Sequence, residues 1–285
     1  MKTSTEIESI ARLVGEEKAV EYVAKAGFDA WDFSMFSMCR WNSATNAPYE
    51  NDHPLKGSNY LALARKLKQI GLDNGIVCNQ SHAPFPSDKP QMFDNLMRSI
   101  ECTAEAGGEI CVIHPAAFST PQENAEMYNK LLPFAKSHKV KIATENMWDW
   151  DTKNDCACFA ACATPESFNA HLDAVNDEDF VACLDIGHAE MMGKITNAVE
   201  MIKALGNRLQ ALHIHDNDLH DDSHQIPFSM KIDFDKVANA LREINYTGYL
   251  TLECNAFLKA YTQENVFDGV KRLAESVKKF SRLIF

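Results

Sequence analysis

The sequence predicts an α/β chain wound as one (β/α)8 barrel, and three observations lead there. Short apolar runs alternate with amphipathic stretches from one end of the 285 residues to the other. No Gly-rich dinucleotide fingerprint follows any run, which removes the main signal of a doubly wound sheet. Ionisable residues gather at the C-terminal ends of the runs, the face on which a barrel carries its active site.

The elements follow in order. A short first strand in "MKTSTEIES" precedes the helical "EEKAVEYVAKAG" and completes a count of eight. Clear strands follow in "FDAWDFSM" (28–35), "GIVCNQSHAP" (75–84), "EICVIHPA" (109–116) and "VKIATENM" (140–147). Three more lie in "FVACLDIGHAE" (180–190), "LQALHIHDND" (209–218) and "GYLTLECN" (248–255). Their apolar residues are nearly continuous, as in parallel strands buried on both faces. Between them, "NYLALARKLKQIGL", "ENAEMYNKLLPFAKSHK", "ITNAVEMIKALGN" and "DFDKVANALREIN" space apolar residues by three and four, as amphipathic helices do. Thr120-Pro121-Gln122 and Thr164-Pro165-Glu166 read as helix starts, an N-cap followed by Pro at the first position. No repeat, linker or low-complexity segment interrupts the pattern, so residues 1–285 read as a single domain.

Composition narrows the functional classes. An apolar content of 46% is ample for a sizeable core. A formal charge of −12 argues against a broad electrostatic grip on nucleic acid or anionic lipid. No run of apolar residues is long enough to span a membrane. The opening "MKTSTEIESI" lacks the regions of a signal peptide, and nine cysteines then read as reduced thiols in a cytoplasmic protein. Cys156, Cys158 and Cys162 lie close together but lack zinc-ribbon C-x2-C spacing, and are expected to be structural or loop thiols.

Six strand ends carry the chemistry. His82 follows "IVCNQS", His114 follows "ICVI", and Glu145 follows "KIAT". Asp185 and His188 follow "VACL", His213 follows "LQAL", and Glu253 follows "YLTL". Any one of these alone would pass for a hydrogen-bonded structural His or a capping carboxylate. Together on one mouth, Glu145, Asp185 and Glu253 would repel and raise one another's pKa values. A divalent cation removes that cost, so the set predicts a metal site. Three carboxylates and an imidazole suit one ion of Mn, Co, Mg or Zn without choosing among them.

Taken in order, "GFDAWDFS", "SHAPF", "VIHP", "TENM", "CLDIGHAE", "HIHDND" and "TLEC" resemble the strand-end motifs of the xylose-isomerase-like barrel superfamily. That superfamily contains sugar isomerases, ketose 3-epimerases, inosose-processing enzymes and the endonuclease IV class of apurinic nucleases. The resemblance to the epimerases implies one divalent metal held by Glu145, Asp185, His213 and Glu253. It implies that Glu145 and Glu253 also move the proton beside the substrate carbonyl, from opposite faces, while the metal stabilises an enediolate. Isomerisation, epimerisation and dehydration of a sugar or cyclic polyol all share that step. His188 and Asp151 match substrate-contact positions, and His82, His114 and His224 are further candidates. Glu145 and Glu253 are both present, which argues against a barrel that has lost catalysis and serves as a sensor.

The segment "HIHDNDLHDDSH" (213–224) holds four histidines and four aspartates. His213 is the expected ligand, His215 is expected to point the other way along the strand, and Asp216 and Asp218 are expected in the following loop. Asp222 and His224 resemble the D-x-H pair that endonuclease IV uses for an additional zinc. With His82, His114 and His188 as further ligands, the resemblance implies an alternative, a three-zinc phosphodiesterase acting on abasic DNA. The negative charge and the segment "HQIPFSMKIDF", which lacks the two glycines and the glutamate of the nuclease pattern, favour the sugar enzyme. A small-molecule sugar is therefore the expected partner, with neither membrane nor nucleic acid, and pairing of relatives suggests a homo-oligomer by analogy. Over the mouth, the irregular stretch 34–60 would bring Phe36, Trp41, Tyr49 and Arg40. Trp31, Trp148 and Trp150 are further candidates to shield a sugar, with ordinary loop packing the alternative for each ring.

Overall fold

A computed structural model describes residues 1–284. The eight expected strands are present: β1 (Thr3–Thr5), β2 (Ala30–Ser34), β3 (Val77–His82), β4 (Ile110–Val112), β5 (Lys141–Glu145), β6 (Phe180–Asp185), β7 (Leu209–His213) and β8 (Leu250–Leu252). Strands β2 to β7 form a parallel ladder in chain order, and β1 pairs in parallel with β8. Parallel bridges between Glu6 and Asp32 and between Ile214 and Leu252 join the two pieces, which closes the barrel.

Helices α1 (Glu8–Val14) and α2 (Glu16–Ala26) precede β2, separated by Gly15 at φ 83°, a conformation that favours glycine. Then come α3 (Tyr60–Asp73), α4 (Phe93–Ala106), α5 (Pro121–Ser137), α6 (Pro165–Val175), α7 (Ile186–Met191), α8 (Ala198–Leu205), α9 (Phe234–Glu243) and α10 (Val266–Ile284). Both predicted Thr-Pro starts are caps. Thr120 Oγ1 accepts from Glu123 N while Glu123 Oε2 accepts from Thr120 N, and Thr164 Oγ1 accepts from Ser167 N. The predicted strand 180–190 is shorter than expected. Asp185 ends β6 because its Oδ1 accepts from His188 N at 2.7 Å, which caps α7 and makes "IGHAEM" helical.

Side-chain alternation sorts the barrel. Trp31 and Phe33 face outward into the core beneath the helices, with the Trp31 indole nitrogen against Gly71 of α3. Trp31 is therefore not a mouth residue: a strand with Asp32 turned inward must turn Trp31 outward. Inside, Val112, Ala143, Val181, Cys183 and Ala211 form a small apolar plug. Below it, Ser4, Asn79, Gln80 and Thr251 are joined by hydrogen bonds of 2.6–3.2 Å. Two residues on from Ala143, Cys183, Ala211 and Thr251 come Glu145, Asp185, His213 and Glu253, lifted onto the plug and aimed at the mouth.

Stretch 34–60 carries a hairpin of Trp41–Asn42 with Ala47–Pro48, and a second hairpin pairs Asp149–Asp151 with Cys156–Cys158. All nine cysteines are free thiols. Among the described residues no helix is long and apolar enough to cross a membrane.

Candidate active site

Glu145 stands at the centre of the mouth, fully buried. His213 Nδ1 lies 2.9 Å from Glu145 Oε1 and 3.5 Å from Glu253 Oε2. His82 bridges the same carboxylates, with Nε2 3.6 Å from Glu145 and Nδ1 3.5 Å from Glu253. His114 Nε2 is 3.2 Å from Glu145 Oε2 and 2.7 Å from His82 Nε2. One donor atom from each of Glu145, Asp185, His213 and Glu253 falls within 4.8 Å of the others. Glu145 Oε2 and Asp185 Oδ2 are buried without a hydrogen-bond partner. Such orphaned charges are costly in a protein interior, and a cation among them removes the cost, so these residues fit a divalent ion.

The expected mutual raising of the three carboxylates is reversed, because imidazoles lie among them. Burial pushes Glu145 up, but His213 and His114 outweigh it and hold the carboxyl well below its usual range. Glu253 is likewise lowered against burial, by His213 and His82. Burial opposes charge on His213, yet Cys183, Glu145 and Glu253 raise it well above the usual histidine range. Burial lowers His114. Burial pushes Asp185 up as well, but His188 and His215 prevail, so neighbouring imidazoles hold all three carboxyls below their usual range.

A second group lies beside the first. His188, His215, Asp222 and His224 bring donor atoms within 4.8 Å of one another. Each histidine faces a backbone carbonyl through Nδ1: His188 on Asn146 at 2.9 Å, His215 on Asp216 at 3.4 Å, His224 on Glu253 at 2.7 Å. All three Nε2 atoms then converge on Asp222, at 3.4, 3.4 and 3.2 Å. His215 Nε2 and Asp222 Oδ1 are buried without a hydrogen-bond partner. His224 sits at φ 41°, a left-handed backbone unusual for a non-glycine residue, and stacks on His215 with ring centroids 4.0 Å apart. Gly187 makes room, since a Cβ there would stand 1.9 Å from the His215 ring. Burial lowers His224, but Asp222 and Glu253 prevail and push it up to about 9.

Aromatic rings wall the mouth. Phe36 meets His82 edge-on at 4.7 Å, and Phe85 stacks on His114 at 5.0 Å. With Trp148 and Met147 they line a cavity of about 270 Å³ that holds both glutamates, His188 and Asp222. Past Phe85 and His114 it meets a groove of about 520 Å³ walled by Trp41 and Lys89.

The structure thus brings together His82, His114, Glu145, Asp185, His188, His213, Asp222, His224 and Glu253. It does not bring in Trp31, nor Asp151, whose carboxylate is turned into its own hairpin by Asn154 and the Lys153 N–H. Arg40 is engaged by Glu8 at 2.8 Å, Trp150 packs on His220, and Tyr49 is exposed. Asp218 does lie in the loop, but Asp216 is fully buried there. His215, Asp32, Asn146 and Phe85 were missed. His215 corrects an expectation outright: residues 211, 213 and 215 share parity, so His215 faces the site with His213. Asn146 clamps β5 to β6, its side chain exchanging hydrogen bonds of 2.8 and 2.9 Å with the Asp185 backbone.

The pattern of the family described as the xylose isomerase-like TIM barrel matches residues 20–279, and the chain belongs to that family. It is 24% identical to an uncharacterized protein of Methanocaldococcus jannaschii, over 93% of this chain and 85% of that one. Among solved structures it is similar to a D-tagatose 3-epimerase-like protein, with TM-score 0.72 and 21% identity, covering 100% of this chain and 98% of the other. A D-allulose 3-epimerase from Methylomonas sp. is also similar, with TM-score 0.68, 14% identity and 98% of both chains covered. At these identities the structural likeness speaks for the fold.

Proposed function

We propose that the protein is a divalent-metal-dependent sugar or cyclic-polyol isomerase or epimerase that moves a proton beside a carbonyl. One observation carries the reading: two buried carboxylates, Glu145 and Glu253, flank His213 at the floor of an aromatic-walled cavity and share a donor set with Asp185. The likeness to solved sugar 3-epimerases supports the substrate class. Glu145, Asp185, His213 and Glu253 would hold the ion; Mn, Co, Mg and Zn all accept such a set. When bound, the ion stabilises negative charge developing on substrate oxygens as the proton leaves. Glu145 and Glu253 remove and return that proton. His82, His114 and His188 hydrogen-bond substrate oxygens, while Phe36, Phe85 and Trp148 exclude water.

The test is proton exchange. Incubated in D2O with ketohexoses and ketopentoses, the metal-loaded protein is expected to place deuterium on the carbon beside the carbonyl of at least one sugar. Glu145→Gln and Glu253→Gln should each lower that rate by about 10²–10⁴-fold. Undiminished exchange in both variants removes the mechanism.

A second reading has its own observation. His82 and His114 meet Glu145, while His188, Asp222 and His224 gather beside Asp185, so the nine ligand positions implied for a three-zinc phosphodiesterase converge on one mouth. Metal content per chain separates the two: one ion supports the sugar enzyme, whereas three zinc ions with cleavage of abasic DNA support the phosphodiesterase.

A further inference from the structure

We infer that Asp32 is a positioning residue for His213, holding the imidazole so that Nδ1 faces the carboxylates of Glu145 and Glu253. The inference rests on the metal-site reading above.

Asp32 lies in β2 between two outward-facing aromatic residues and turns into the barrel, fully buried. Its Oδ1 accepts from Ser34 Oγ at 3.1 Å. Its Oδ2 has no hydrogen-bond partner and lies 3.7 Å from His213 Nε2. On the other side of the same ring, Nδ1 meets Glu145 at 2.9 Å and Glu253 at 3.5 Å. The ring is therefore polarised end to end, with donor-set carboxylates at Nδ1 and a separate carboxylate at Nε2.

A histidine that ligates through one nitrogen carries its proton on the other, and a carboxylate facing that proton fixes the tautomer and ring plane and strengthens the ligand. A shift of about 0.7 Å brings Asp32 Oδ2 within hydrogen-bond range of Nε2. Packing alone does not account for Asp32, because an apolar side chain would fill the same space without burying an unpartnered polar oxygen.

The experiment titrates Mn²⁺ into the metal-free full chain and follows free Mn²⁺ by electron paramagnetic resonance. Asp32→Asn and Asp32→Ser are expected to weaken the site that Glu145→Gln abolishes by about 10–100-fold. Asp32→Glu should restore part of the affinity, and the metal-free melting temperature should not fall in Asp32→Asn. The ring N–H proton of His213 should also lose its strongly downfield position in Asp32→Asn, which a packing role would not cause. Mn²⁺ affinity within twofold of wild type in both neutral variants, with loss in His213→Ala, overturns the role of Asp32 alone. A wild-type chain that binds Mn²⁺ no better than Glu145→Gln overturns the metal-site reading and this inference with it.

Discussion

Glu6 shows how burial at a single position writes itself into pH dependence. It is buried at the end of β1, and desolvation raises its carboxyl to about 7 even though Ser9 hydrogen-bonds to it. Between the ordinary carboxyl value of 4.5 and about 7 the folded chain therefore holds a proton that the unfolded chain has released. Stability contributed at this position falls as pH rises through that window. Glu6→Gln should match wild type at pH 4 and exceed it by about 2–3 kcal/mol at pH 8, as read by urea denaturation at both pH values. An equal offset at the two pH values removes the explanation. Legibility at this scale followed chemistry. Ligand-type residues at strand ends were readable because Glu145, Asp185, His213 and Glu253 each close an apolar run. Asp32 was not, since it sits between two large aromatics and looks like part of the core run. Strand parity was the only signal for it, and the same signal places His215 inside.

At the scale of elements, the loop after β7 is built on one carboxylate. Asp216 accepts from the backbone N–H groups of Asn217, Ser229, Met230 and Ile232 at 2.8–3.0 Å. It thereby pins both ends of the excursion that carries Asp222 and His224. Asp216→Ala strands those donors and should cost about 2–4 kcal/mol. The second histidine group should lose its geometry at the same time. Amide hydrogen exchange across residues 217–232 would report this, with unchanged protection after Asp216→Ala counting against the anchor. The sequence marked the segment as charged but not as anchored, because the four donors come from residues up to sixteen positions away. The Thr-Pro caps were legible because capping is local. The turn of "IGHAEM" into α7 was hidden because Asp185 both ends a strand and caps a helix.

Across the whole molecule, the alternation of strands and helices sufficed for the barrel, since each unit repeats a local pattern. The hairpins beside the mouth were not readable, because antiparallel pairing of Trp41–Asn42 or Asp149–Asp151 depends on register rather than periodicity. The global consequence of the buried carboxylates is linkage. A divalent ion that binds only the closed barrel at 100 times its Kd should stabilise it by about 2.7 kcal/mol. Thermal melts with added Mn²⁺ or Zn²⁺, and again after chelation, would show a reversible rise in Tm. A Tm indifferent to every divalent ion would remove the linkage.

Closure between β1 and β8 joins segments as far apart as Thr5 and Leu252, 247 positions along the chain. During synthesis from the N-terminus, β1 waits with one edge unmatched until β8 emerges, and Glu253 arrives with it. An ion of the proposed kind would find three of its four ligands on the growing chain and an open stave. The finished ligand set would then also be a seal, filled only once the last strand has found the first.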